Sequence, residues 1–420
     1  MRRGLESACN AGSLYRWAVA ALIALGGVAL MLALPLGTLG FVSQAFAGSA
    51  IIYLYLRRDR REWALVGVCA AGYGGLYLLC GARIVTGTGW QVCLPAGFAG
   101  LAALVVLLCR CAWETGPARK KLLREIGALA LLPALCWGSA IAVLLDIRVT
   151  PLTYDRVLYI FDRRFAANAG FALGRFLSEH AVAAYVCALV YNCLPVTLSI
   201  FLALQAKDRL PGTADVRKVF IALGVSGFLL YHLCPASGPV YLIRTAFPYH
   251  PVAATAFAPV PAPMGPSPRN AMPSLHVAWC LLALANSLRR PRWLGIYSAA
   301  ALLLTAVATV GLGEHYWIDL IVAVPLAGAV QLACSGWRRN LHGISMCSGI
   351  VLAWLIALRT GAALTIAEPP WSWILTAVTV ALPVFLTLAQ CDASAGALRP
   401  AARLAGSPAP PDTAGQRIPA

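Results

Sequence analysis

Charge is scarce in this chain. Of its 420 residues only 12% are Asp, Glu, Lys or Arg, while 60% are hydrophobic and the mean hydropathy is +0.75. An ordinary soluble domain carries about 25% charged residues, so a soluble enzyme is excluded and the chain reads as an all-α polytopic membrane protein. Acidic residues are scarcer still, 16 against 33 basic, for a formal net charge of +17. That excess would suit nucleic acid, but the basic residues lie in short clusters between apolar runs, the pattern that orients helices in a bilayer. Nucleic acid is therefore not an expected partner. CxxC pairs and the two-histidine motif HExxH are missing as well. The 14 cysteines are scattered, mostly inside apolar runs, and the nearest two are Cys109 and Cys111. Neither a disulfide framework nor a metal ribbon is indicated.

What is present is a succession of apolar segments. At about 20 residues per span, twelve candidates are expected, near 17–36, 41–56, 63–82, 92–110, 126–146, 180–204, 217–234, 274–288, 293–311, 317–336, 345–360 and 371–390. The start resembles a signal peptide, with Arg2, Arg3 and Arg16 ahead of an apolar run and Ala45-Phe46-Ala47 beyond it. The run from Trp17 to Leu36 exceeds an h-region, so it is expected as a retained first span. With both termini on the cytoplasmic side, only nine of the 33 basic residues fall outside. Trp90, Tyr316, Trp317 and Trp371 near span ends suit interface anchoring. Two outer loops are long. Residues 147–179 carry apolar side chains at helical spacing among arginines, as in an interfacial amphipathic helix. Asp155 and Asp162 are expected on its solvated face. Residues 235–273 are rich in proline.

Against this background the stretch Gly311–Leu320, GLGEHYWIDL, stands out. His315 and Asp319 are four residues apart, on one face of a helix. A carboxylate so placed can hold an imidazole in one tautomer and stabilise its cation. The same spacing also fits a solvated charge pair at a helix end. On the expected topology two further polar stretches reach the same face: Tyr231–Pro239 and Arg269–His276. In the latter, Pro273 and Ser274 suit a helix start, where backbone N–H groups favour anions. Arg269 can add a bidentate phosphate contact, and His276 is placed to give or take a proton. Together these parts suit phosphoryl transfer through a covalent phosphohistidine.

PSLH followed about 39 residues later by HYWID resembles the type 2 phosphatidic acid phosphatase superfamily. Within it the variant Pro-Ser-Leu-His is most similar to the branch of inositol phosphorylceramide synthases and related bacterial proteins. The resemblance implies a six-helix core over 126–336; it does not explain the flanking spans, which the apolar segments put at about four in 1–125 and two in 337–390, and the proline-rich composition of 391–420 suits a disordered tail. It implies His315 as nucleophile, His276 as acid, Asp319 as orienting carboxylate and Ser274 as phosphate ligand. It also implies metal-free catalysis with no cofactor, and membrane lipids as partners: a phospholipid or lipid phosphate donor and an alcohol or water acceptor. Localisation is expected in a bacterial inner (plasma) membrane, with the active site facing the periplasm. Two departures accompany the match. The phosphatase first motif, with its Lys and Arg, has no counterpart, and the arginine six residues before the third-motif histidine is Thr309. Arg269, Arg244 and His232 are the substitute phosphate ligands, and the departures favour transfer over simple hydrolysis. A lipid phosphate phosphatase, a transporter or flippase, and a zinc hydrolase using His232, His250, His276, Glu314, His315 and Asp319 are the competing readings.

Overall fold

The computed structural model describes residues 39–57, 59–79, 90–208 and 213–404, with isolated positions between 19 and 27. The expected first span near 17–36 and the last part of the expected tail, 405–420, therefore lie outside the described residues. Four helices come first: α1 (Leu39–Leu56), α2 (Arg60–Leu79), α3 (Trp90–Trp113) and α4 (Gly116–Val149). The 34 residues of α4 reach about 51 Å at 1.5 Å per residue, well beyond the hydrocarbon thickness of a bilayer. Then follow α5 (Asp155–Phe165), α6 (Ala169–Glu179), α7 (Ala181–Asn192), α8 (Leu194–Lys207) and α9 (Val216–Tyr231). After the short α10 (Pro239–Ile243) come α11 (Leu275–Ser287), α12 (Arg292–Gly311), α13 (Trp317–Gly336), α14 (Leu341–Thr360) and α15 (Trp371–Leu404). The last helix runs on into the stretch expected to be disordered.

Among the described residues, seven helices are long and apolar enough to cross a membrane, or eight if the pair α6 and α7, bent by 110°, forms one span. The bend falls at His180, between the outer loop and the expected sixth span. α13 is the central helix. It is buried from Ile318 to Leu332 with few interruptions, as expected of a helix apolar on every side. α5, α11, α14 and α15 pack around it, and α12 packs against α11, α6 and α7. At the N-terminal end, α1 is enclosed by α3, α4 and α8.

The proline-rich loop over 235–273 is folded. Ala262–Pro263 pairs antiparallel with Leu152–Thr153, tying the loop to the chain that leaves α4. The segment over 147–179 does not form a solvated interfacial helix at α5. α5 turns Val157, Leu158, Tyr159, Ile160 and Phe161 into the core, and Asp155 is fully buried with them.

Candidate active site

Three turns and one helix meet at the N-terminus of α13. Gly238, at φ +112°, opens α10 so close to the GLGEHY turn that a Cβ there would lie 2.4 Å from the Glu314 carbonyl oxygen. Only glycine takes that backbone at no steric cost. Val240 N then donates to Gly313 O at 3.0 Å, and Ser274 N to Asp319 O at 3.1 Å. The PSLH and HYWID stretches are thus bonded through backbone before any side chain is considered.

The histidine they enclose is held on both ring nitrogens. His315 is 4% exposed. Its Nδ1 lies 2.8 Å from Ala271 O and 3.4 Å from Asp319 Oδ2, and its Nε2 lies 3.3 Å from Ser274 Oγ. A carbonyl can only accept, so Nδ1 carries the hydrogen and Nε2 keeps its lone pair toward the Ser274 hydroxyl. Ser274 is the N-cap of α11, yet its hydroxyl makes no cap bond and goes to the histidine instead. The His276 ring stacks on Tyr191 at 4.1 Å between centroids and stands 6.5 Å from that of His315. Burial pushes the His315 imidazole down to about 4, against the adjacent Glu314 carboxylate and the Ala271 carbonyl, which favour the cation. At neutral pH the ring is uncharged.

Asp319 has two tasks. Its Oδ2 accepts from Tyr316 N at 2.8 Å, holding the first turn of α13, and faces His315 with the same oxygen. The carboxylates of α5 complete that helix end. Asp162 accepts from Trp317 N at 2.7 Å and Ile318 N at 3.3 Å, two orphan donors of the first turn. Asp155 accepts from Gly238 N at 2.8 Å, Ser237 N at 3.0 Å and Tyr316 OH at 2.9 Å. Burial raises both carboxyls, and these hydrogen bonds oppose the rise. The solvated face expected for Asp155 and Asp162 is therefore corrected: they brace the site. Their spacing of seven, which puts them on one helix face, was the available signal. Tyr316, expected as an interface anchor, is 1% exposed.

The substitute phosphate ligands are not gathered at His315. Arg269 is 1% exposed and spends its guanidinium inside the two long loops, on Thr150 O, Ser237 Oγ, Met264 O, Gly265 O and Ser267. His232 is engaged at Nδ1 by Phe228 O at 2.9 Å and at Nε2 by Asp146 at 3.5 Å. Arg244 is exposed on the loop at φ +47°. Thr309, where the resemblance leads one to seek an arginine, is fully buried, and its carbonyl caps the turn by accepting from Glu314 N and His315 N, both at 3.0 Å. The cation the sequence reading missed is Arg163. A cavity of about 30 Å³ beside His315 is lined by Arg163, Trp317 and Phe171, among others. Arg163 Nε and Trp317 Nε1 are buried there with no hydrogen-bond partner, at a cost of about 1–3 kcal/mol each unless something accepts from them.

Residues 156–333 match the PAP2 superfamily model. The match opens on α5 and closes near the end of α13, so it contains every residue of the histidine cluster. A PAP2 match supports an activity of the phosphatase or phosphotransferase type, and lipid phosphates as the class of substrate. No curated protein and no solved structure matches the chain. Asp162 falls inside the PAP2 segment and Asp155 one residue before it, whereas α1 to α4, α14 and α15 fall outside it.

Proposed function

We propose that the chain is an integral membrane lipid phosphotransferase, similar to the inositol phosphorylceramide synthase-like branch of the PAP2 superfamily, with residues 126–336 as its catalytic core. One observation carries the reading: the Nδ1–H of His315 is fixed on Ala271 O at 2.8 Å, which leaves a neutral Nε2 as nucleophile beside Ser274. Nε2 attacks the phosphorus of a lipid phosphate or phosphodiester, and the bond to the leaving oxygen breaks. His276, charged by a proton taken up as the anionic phosphate comes beside it, gives that oxygen its proton, so the donor departs as an alcohol and a phosphohistidine remains. An acceptor alcohol then attacks phosphorus, returns its proton to His276 and frees His315. Asp319 Oδ2, at 3.4 Å, stabilises the positive charge on the ring as it forms. The uncapped start of α11 and the orphan N–H groups of Arg163 and Trp317 supply donors for the phosphoryl oxygens.

The clustering of basic residues supports an orientation with both termini cytoplasmic and the His315 site toward the periplasm. Head-group or phosphate release from lipid vesicles, compared between wild type and His315→Ala, tests the proposal. Loss of release in the variant supports it; equal release rejects it.

A further inference from the structure

The far end of the helix bundle holds a second polar cavity. α4 ends beside His232, where Asp146 lies, and Lys121 and Arg124 sit near its start, some 22 residues or about 33 Å away along the helix. There a cavity of about 430 Å³ opens between α4, α8 and α9, within the size range of a small-ligand pocket. Lys121, Arg124, Lys207 and Arg217 line it, with Glu125 as its one carboxylate. Two acids nearby are already spent: Glu125 pairs with Arg57 at 2.7 Å, and Asp215 holds Arg217 through both carboxylate oxygens at 3.1 and 3.2 Å. Lys207 leans over the Tyr55 ring at 4.9 Å, a contact that leaves its charge uncompensated. Lys121, Arg124 and Lys207 thus face one space with no carboxylate partner among the described residues.

Like charges gathered around a cavity repel unless an anion joins them. The remaining lining settles which kind. Leu56, Ala128 and Leu202 supply an apolar wall where the transmembrane helices begin, so the space is charged toward one side and greasy toward the other. A free phosphate uses only the first feature; a phospholipid uses both. Basic pockets between transmembrane helices are a recurrent site for anionic head groups. We propose that this cavity binds the phosphate-bearing head group of an anionic phospholipid, as a site separate from His315. It joins the N-terminal helices to the PAP2 segment, since Lys121 and Arg124 belong to the former and Lys207 and Arg217 to the latter.

The test uses the full-length protein carrying His315→Ala, so that turnover cannot consume the probe and the outcome is independent of the function proposed above. Binding of phosphatidylglycerol, phosphatidylcholine and inorganic phosphate is measured by native mass spectrometry from detergent. Phosphatidylglycerol is expected to bind and phosphatidylcholine is not. Adding Lys121→Gln and Arg124→Gln, both exposed positions, is expected to weaken phosphatidylglycerol on the order of 30-fold, at about fivefold per charge, with the melting temperature of the lipid-free protein unchanged. Lys207→Gln alone is expected to weaken it about fivefold. Equal binding with and without the substitutions overturns the proposal. So does inorganic phosphate binding as tightly as the lipid, which would make the site one for a soluble anion.

Discussion

The carbonyl oxygen of Ala271 is 2.8 Å from Nδ1 of His315, closer than the carboxylate of Asp319 at 3.4 Å. The backbone therefore sets the tautomer; Asp319 caps α13 and, on the proposed mechanism, is left with stabilising charge. In a serine protease triad, replacing the aspartate by asparagine costs about 10⁴-fold because the imidazole takes the wrong tautomer. Here Asp319→Asn is expected to lower kcat by only about 10- to 100-fold, far less than His315→Ala. A loss near 10⁴-fold would show that Asp319, and not Ala271, fixes the ring.

On the proposed mechanism the burial of His315 sets the acid limb of the pH profile. A nucleophilic imidazole must be neutral, and an ordinary histidine is half protonated near pH 6.5. With the value pushed down to about 4, kcat/KM is expected to hold through pH 6 and fall only as pH drops toward 4. Glu314 pulls the value upward, so Glu314→Gln is expected to move the limb lower still. Stability follows the same sign: between about 4 and 6.5 the unfolded chain binds the extra proton, so folding weakens as pH falls through that window. A limb at 6.5 would contradict the burial.

Arg163 and Arg269 are expected to separate binding from stability. Arg163 Nε has no partner beside His315, so Arg163→Gln is expected to lower kcat/KM at least tenfold with little change in melting temperature. Arg269 holds the two long loops together through several carbonyls. Arg269→Gln is expected to lower the melting temperature, through buried acceptors left unmet at about 1–3 kcal/mol each. The reverse pattern would return Arg269 to the phosphate.

At Gly238 the close approach to Glu314 O and the positive φ act together. Gly238→Ala is expected to displace the Ser237 and Gly238 N–H groups from Asp155 and to cut the yield of folded protein, read by size exclusion in detergent. Gly349, with nothing within 4 Å of its Cβ position, serves as the control: Gly349→Ala is expected to be tolerated.

The histidine pair was legible because its residues sit in two short stretches whose polarity breaks the apolar background. His276, His315 and Asp319 stand out by spacing and type, and the fold brings them together. The ligands of long sequence separation were not. Asp155 reaches Tyr316 across 161 residues and Asp162 reaches Trp317 across 155, and nothing in a local pattern marks such pairs. Arginine charge misled for the same reason: Arg269 lies five residues before Ser274, yet the folded loops wrap its guanidinium in carbonyl groups. Periodicity identified most helices; among the described residues seven are long and apolar enough to cross a membrane, or eight with the pair bent at His180, and α11 is only 13 residues long.

The central claim is that His315 carries the phosphoryl group. Wild type, His276→Ala and His315→Ala are incubated with phospholipid labelled at phosphorus, quenched, and the labelled peptide is mapped. Label on the peptide containing residue 315 is expected in wild type, more of it in His276→Ala if breakdown becomes slower than formation, and none in His315→Ala. Turnover at the wild-type rate by His315→Ala, or label on another residue, would contradict the account.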